Sequence, residues 1–304
     1  MLFAAIFKPY ILEERDSILA VFKPAGWHSV SQGDRDGGGA RESIVDWLVS
    51  RRAELADRSQ LADTIDARIS GRPSSKERFF DELGMLYRLD FETSGILLFA
   101  LTREAFERLR QAQDRLALEK RYILVCSESS GALPGSLPPS MAMERAALLR
   151  DVRAGRERRV TSYFRPYGVR GARVACIAEE FLAKTHKKTA HHLYETSYLR
   201  SRDLGAEATS GMRAIKTAGE AVRSISGDSN AALVECGIQR GFRHQIRAHS
   251  AWIGLPIVGD RLYGGAEASR LMLEAFSVRL WEGGKLVEEW NLRGGIADLL
   301  GESI

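Results

Sequence analysis

The stretch Tyr87-Arg88-Leu89-Asp90-Phe91-Glu92-Thr93-Ser94-Gly95, followed by Ile96-Leu97-Leu98-Phe99-Ala100-Leu101, restricts the fold more than any other part of the chain. An apolar run bounded by Gly95 and Thr102 predicts a strand with both faces covered. A turn of Asp, Thr, Ser and Gly leading into it sets one carboxylate, Asp90, at a rigid sheet edge. Arg88 stands two residues before that carboxylate, and the hydroxyls of Thr93 and Ser94 follow it. Taken alone, the same residues also describe a surface turn with an Arg–Asp ion pair.

A second stretch weighs against the plain turn. Gly241-Phe242-Arg243-His244-Gln245-Ile246-Arg247-Ala248-His249 runs on through Ile253-Gly254-Leu255-Pro256-Ile257-Val258-Gly259-Asp260-Arg261-Leu262-Tyr263-Gly264. The Arg-Leu-Asp turn, Lys120-Arg121-Tyr122 and this stretch, in that order, closely resemble the three signature motifs of the RluA family of RNA pseudouridine synthases. Phe22-Lys23-Pro24-Ala25-Gly26 and Arg270-Leu271-Met272-Leu273-Glu274-Ala275 are supporting matches. The resemblance is collinear from residue 11 to residue 281, and weak between 127 and 230. Several ordered motifs in one chain are far more specific than any one of them.

The resemblance implies that Asp90 is a nucleophile, able to attack carbon and later depart. Arg247 would be its counter-charge, holding the carboxylate ionised and oriented; phosphate contact on a helix starting near His244 is the other role open to it. Tyr122 would offer the extruded uracil a stacking face and a hydroxyl, although a strand aromatic is equally at home there. Arg88 would help displace the target nucleotide, since extrusion costs a few kcal/mol of lost stacking. Thr93, Ser94, His244 and Gln245 are candidate substrate-lining groups. Three positions depart from the family pattern: Tyr87 stands for a usual His, Phe242 interrupts the third motif, and Glu274 replaces a common His.

Two other functions remain open. One is an RNA-binding or ribosome-assembly protein of the same fold that has lost turnover. The other is a nucleoside or glycoside hydrolase using Asp90 with Glu92, although hydrolysis wants its two carboxylates across a substrate from one another.

The strand-like segments, separated by short helices without regular alternation, predict an α+β fold with a large mixed, mostly antiparallel sheet flanked by helices and loops. One catalytic domain over 1–304 is expected, with 1–10 a short leader and no N-terminal RNA-binding domain. The pattern predicts a hairpin turning at Glu13–Ser17 and a partly helical stripe from Glu42 to Leu55. A helix over about 103–118 capped by Thr102, and strands at 121–126, 160–164, 173–178, 194–199, 221–225 and 232–238, are expected next. A closing hairpin pairs 276–281 with 286–290. Gly33–Gly39 lacks the Gly-Lys-Ser/Thr of a phosphate loop. Residues 56–82 read as an exposed connection, 141–150 as a short helix, and Arg153–Arg159 as a basic loop.

Most of the 44 basic residues are Arg, whose planar fork suits phosphate and bases, so RNA is the expected partner. Cys126, Cys176 and Cys236 are too scattered for a disulfide framework or zinc site and read as reduced core thiols. His186, His191 and His192 lack metal-ligand spacing, and no metal or organic cofactor is expected. No segment has the length of a membrane span or the shape of a signal peptide. A cytoplasmic monomer acting on ribosomal or transfer RNA, without an obligatory protein partner, is the resulting expectation.

Overall fold

The computed structural model describes residues 8–31, 42–52, 55, 82–127, 147, 150–152, 154–184, 189, 191–203 and 231–296. The expectations at Gly33–Gly39, nearly all of 56–82, most of 141–150, His186 and the strand at 221–225 lie outside them. In chain order the elements are β1 (Tyr10–Arg15), β2 (Ile18–Lys23), α1 (Ile44–Arg51), β3 (Ser94–Ala100), α2 (Arg103–Asp114), β4 (Leu118–Ser127) and β5 (Arg158–Tyr167). Then come β6 (Arg173–Ile177), β7 (Tyr194–Asp203), β8 (Ala231–Ile238), α3 (Gln245–Trp252), β9 (Leu273–Glu282) and β10 (Lys285–Asn291). Among the described residues strands outnumber helices heavily and their pairings are mostly antiparallel, which makes the fold α+β. No helix among them is long and apolar enough to cross a membrane.

The chain forms two compact units, and neither is one continuous segment. Met1–Leu118 with Leu280–Leu292 make the first, and Glu119–Arg279 with Arg293–Ile304 make the second.

In the first unit, β1 and β2 form the expected hairpin with a tighter turn. Glu13, Glu14 and Arg15 stay in β1, and only Asp16 and Ser17 turn, at φ 49° and 60°. Two successive positive φ values give the type I′ turn whose twist matches the flanking strands. β2 pairs antiparallel with β3, with Lys23 opposite Gly95, and every residue of both strands is buried. Burying each of Ile96, Leu97, Leu98 and Phe99 contributes roughly 1.5–3 kcal/mol, so the strand that follows Asp90 is a stiff base for it.

Thr102 caps α2 as expected, accepting the Ala105 N–H at 3.2 Å. The helix stops at Asp114, short of the expected 118. Leu116 turns to φ 60° and is 38% exposed, although its spacing fits the apolar stripe. Its N–H reaches the Gln113 carbonyl and the Ala117 N–H reaches that of Ala112. These are the paired bonds of a Schellman ending, here without the glycine that would have marked it. α1 begins at Ser43, whose Oγ accepts the Asp46 N–H, and ends at Arg51 rather than running on to Leu55. The β9–β10 end of the unit is held by the Trp281 N–H on the Ala117 carbonyl (2.9 Å) and by an Arg108–Glu288 ion pair at 2.5 Å. Arg15 hydrogen-bonds the Glu289 carbonyl and lies 4.9 Å over the buried ring of Trp290.

In the second unit the strand order β4-β8-β7-β5-β6 is antiparallel throughout. Cys126, Cys176 and Cys236 are free and buried in it, and burial pushes their thiols up. At the entry to β5, Arg156 and Arg158 both clasp Asp151, so these two arginines brace the start of the strand.

Candidate active site

The first unit holds Asp90 on a turn anchored from three sides. Ser29 Oγ donates to the Leu89 carbonyl at 3.0 Å and accepts the Leu89 N–H at 3.1 Å. The Gly26 N–H donates to the Phe91 carbonyl at 2.8 Å, and the Thr93 N–H to that of Asp90 at 3.1 Å. Behind the turn, the Tyr87 hydroxyl donates to the Ile96 carbonyl of β3 at 2.9 Å, which is the work of the residue that stands in place of the family's His. Asp90 itself is half-buried.

Lys23 is the residue that sequence reasoning missed. It ends β2 with none of its surface exposed. Its ammonium donates to the carbonyls of Pro24 (2.9 Å), Trp27 (2.8 Å) and Phe91 (3.2 Å). Three donors meet three acceptors, so the group ties the 24–27 turn to the Asp90 turn. Burial pulls its pKa down to about 7, and the negative charge of Asp90 works against that fall. The signal available in the sequence was a Lys directly before Pro24 at the end of an apolar strand, where a solvated Lys is not expected.

Arg88 and Thr93 sit on the same turn. Arg88 is exposed and paired with Glu82 at 2.6 Å. Thr93 is 2% exposed, and its hydroxyl has no hydrogen-bond partner among the described residues. Ser94 is fully buried at the start of β3. Glu92 is half-buried.

The second unit holds the other residues. α3 starts after His244, which takes a left-handed φ of 56° as its N-cap. Arg247, one helical turn in, grips Asp260 with Nε on Oδ2 and Nη2 on Oδ1. Asp260 also accepts the backbone N–H groups of Leu262 and Tyr263, and the guanidinium lies 5.6 Å from the Tyr263 ring centre. The Tyr263 hydroxyl accepts the Val174 N–H at 2.9 Å and meets His244 Nδ1 at 3.2 Å. Burial, with Arg247 and Arg243 nearby, lowers His244 to about 4 and keeps its ring neutral at pH 7.

Gln245 acts as a brace. Its Oε1 accepts the Phe242 N–H, and its Nε2 donates to the Glu195 carbonyl and to Thr196 Oγ1. Phe242, the insertion in the third motif, stacks on Phe164 at 5.1 Å and abuts Tyr194 at 5.0 Å. His249 is fully buried between Ser162 and Thr196, each at 2.8 Å. Tyr122 is 5% exposed in β4, opposite Cys236 of β8. Glu274 accepts the Ile296 N–H at 2.6 Å.

The first unit thus presents a carboxylate beside a buried ammonium, and the second a buried guanidinium on a short helix. The family profile described as RNA pseudouridylate synthase matches residues 17–252. The chain belongs to that family. "RNA pseudouridine synthase 2, chloroplastic" of Oryza sativa subsp. japonica is 42% identical over 52 residues, covering 17% of this chain and 12% of that protein. The Arabidopsis thaliana protein of the same name is 26% identical over 192 residues, covering 62% and 33%. The chain thus spans a third or less of the length of these two relatives. Human RNA pseudouridylate synthase domain containing 1 shares the fold, with a TM-score of 0.50 and 18% identity over 95% of this chain and 84% of that one.

Proposed function

We propose that this protein isomerises uridine to pseudouridine in RNA, with Asp90 as the nucleophile. The observation that carries the reading is Asp90 itself: a carboxylate in the Arg-Leu-Asp motif, on a turn anchored by Ser29, Gly26 and Lys23. In the reaction the ribose–N1 bond breaks, the same ribose carbon bonds to C5 of the uracil, the C5 proton leaves and N1 gains one. Nothing is oxidised or reduced, so the reaction needs no redox cofactor. Asp90 adds to carbon and departs once the base has turned. Tyr122 supplies a face and a hydroxyl for that base.

Arg247 is assigned as counter-charge to Asp90 on the motif resemblance. Arg88 takes the place of the extruded nucleotide, which requires it to leave Glu82; an exposed ion pair costs at most about 1 kcal/mol to break. Ribosomal or transfer RNA is the substrate, and the protein works as a cytoplasmic monomer.

The test is tritium release from 5-tritiated uridine in ribosomal and transfer RNA of cells lacking the protein. Wild type should release tritium and form pseudouridine, and Asp90→Asn should do neither while still binding the RNA. Release by Asp90→Asn at the wild-type rate would sink the assignment. Appearance of free uracil would instead favour hydrolysis.

A further inference from the structure

Phe91, directly after Asp90, is 40% exposed. Among the described residues no other exposed large apolar side chain is aromatic. An isolated exposed phenyl needs no explanation by itself; the way this one is held does. Its backbone carbonyl accepts both the Gly26 N–H and the Lys23 ammonium. Its ring rests on His28, with centroids 4.6 Å apart and planes 35° apart. His28 is itself fixed, its N–H on the Glu42 carbonyl at 3.1 Å and its carbonyl taking the Ile44 N–H at 2.9 Å. The phenyl therefore has a rigid backbone, an aromatic backing and an open outer face, and its position is set before anything binds.

We propose that Phe91 is a stacking platform for an unpaired nucleobase of the RNA, the neighbour of the reacting nucleotide. This rests on the reading of Asp90 as the reacting carboxylate. Adjacent Cα atoms are about 3.8 Å apart, so a base lying on Phe91 belongs to the nucleotide next to the one attacked. A ring held in place binds a base without losing rotamer freedom. Because every base has a π face, the platform tolerates any base while requiring it to be unstacked from its own neighbour. Its consequence is selectivity by RNA structure: targets flanked by an unpaired nucleotide bind better than those inside a continuous stem.

The test uses a 12-nucleotide oligoadenylate with one central uridine, carrying 2-aminopurine or an abasic residue on either side of that uridine. The protein carries Asp90→Asn so that nothing turns over. The fluorescence of 2-aminopurine should change on binding at one flank, where the base leaves the adenine stack for the Phe91 ring, and an abasic residue at that flank should weaken binding about 10-fold. In that background Phe91→Ala and Phe91→Leu should bind the intact strand about 10-fold more weakly and ignore the abasic residue, whereas Phe91→Trp should behave as Phe. No fluorescence change at either flank, or Leu serving as well as Phe, overturns the platform. The abasic series on unaltered Phe91 keeps the result readable if a variant misfolds. Failure of the platform is distinct from failure of the enzyme assignment, which is read separately as tritium release by the wild-type protein.

Discussion

Arg247 and Asp260 face each other through two parallel hydrogen bonds of 2.8 Å, with 1% and 0% of their side chains exposed. Such a pair is stable only because each charge answers the other. Removing one partner leaves an uncompensated buried ion, at a cost of about 3–5 kcal/mol. Asp260→Ala should lower the unfolding free energy in urea by that amount. Arg247→Lys should not preserve it, since a point charge cannot replace a two-pronged contact. A loss below about 1 kcal/mol for Asp260→Ala would show the pair to be incidental.

Lys23 makes stability depend on alkaline pH. The unfolded chain keeps this proton to the ordinary 10.5, while the folded chain releases it near 7. Between those values the unfolded state binds more protons, so this residue's contribution rises with pH. The stability of wild type relative to Lys23→Met should therefore shift in favour of wild type from pH 7 to pH 9. Denaturant titrations showing a constant difference would contradict it.

The two histidines of the third motif act at the other end of the scale. His249 is lowered to about 3 by burial and His244 to about 4. An unfolded His takes a proton near 6.5, so stability is lost as pH falls from 6.5 through the folded values. Thermal midpoints should drop across that range, and His249→Gln should start lower at pH 7 but fall less steeply. Parallel slopes for the two proteins would rule out His249 as a source.

Arg88 is predicted to matter according to the structure of the RNA. Arg88→Ala should lose more single-turnover rate on a stem-loop than on a short single strand, because only the former resists extrusion. Equal losses on both would remove its displacing role. Wild-type turnover should also survive chelation on an RNA whose own fold needs no magnesium.

The buried strand after Asp90, the Thr102 cap and the closing hairpin were legible because each rests on local rules: an uninterrupted apolar run, a capping hydroxyl, a glycine turn. Element ends were less so. Leu116 obeys helical spacing and still leaves the helix, since its backbone bonds to Gln113 and Ala112 decide the matter. The site divides similarly. Asp90 and Arg247 are marked by motif, whereas Lys23 acts through carbonyls of residues as distant as Phe91, and Asp260 meets Arg247 from 13 positions further on. Contacts of that kind leave no periodic trace. Phe242 read as a blemish in a motif and proves to be a packing partner of Phe164 and Tyr194.

The first unit is completed by residues that the ribosome makes late. Between Leu118 and Leu280 lie the residues of the other unit, about 160 of them, and at 5–20 residues per second their synthesis takes on the order of ten to thirty seconds. During that interval Arg15, Arg108 and Ala117 have been made, but Trp290, Glu288 and Trp281, which they meet in the finished protein, have not. A nascent chain carrying Asp90 must wait, with one flank of its sheet uncovered, for a hairpin translated nearly two hundred codons later. Chaperone dependence and sensitivity to translation speed should therefore concentrate in the half of the protein that is made first.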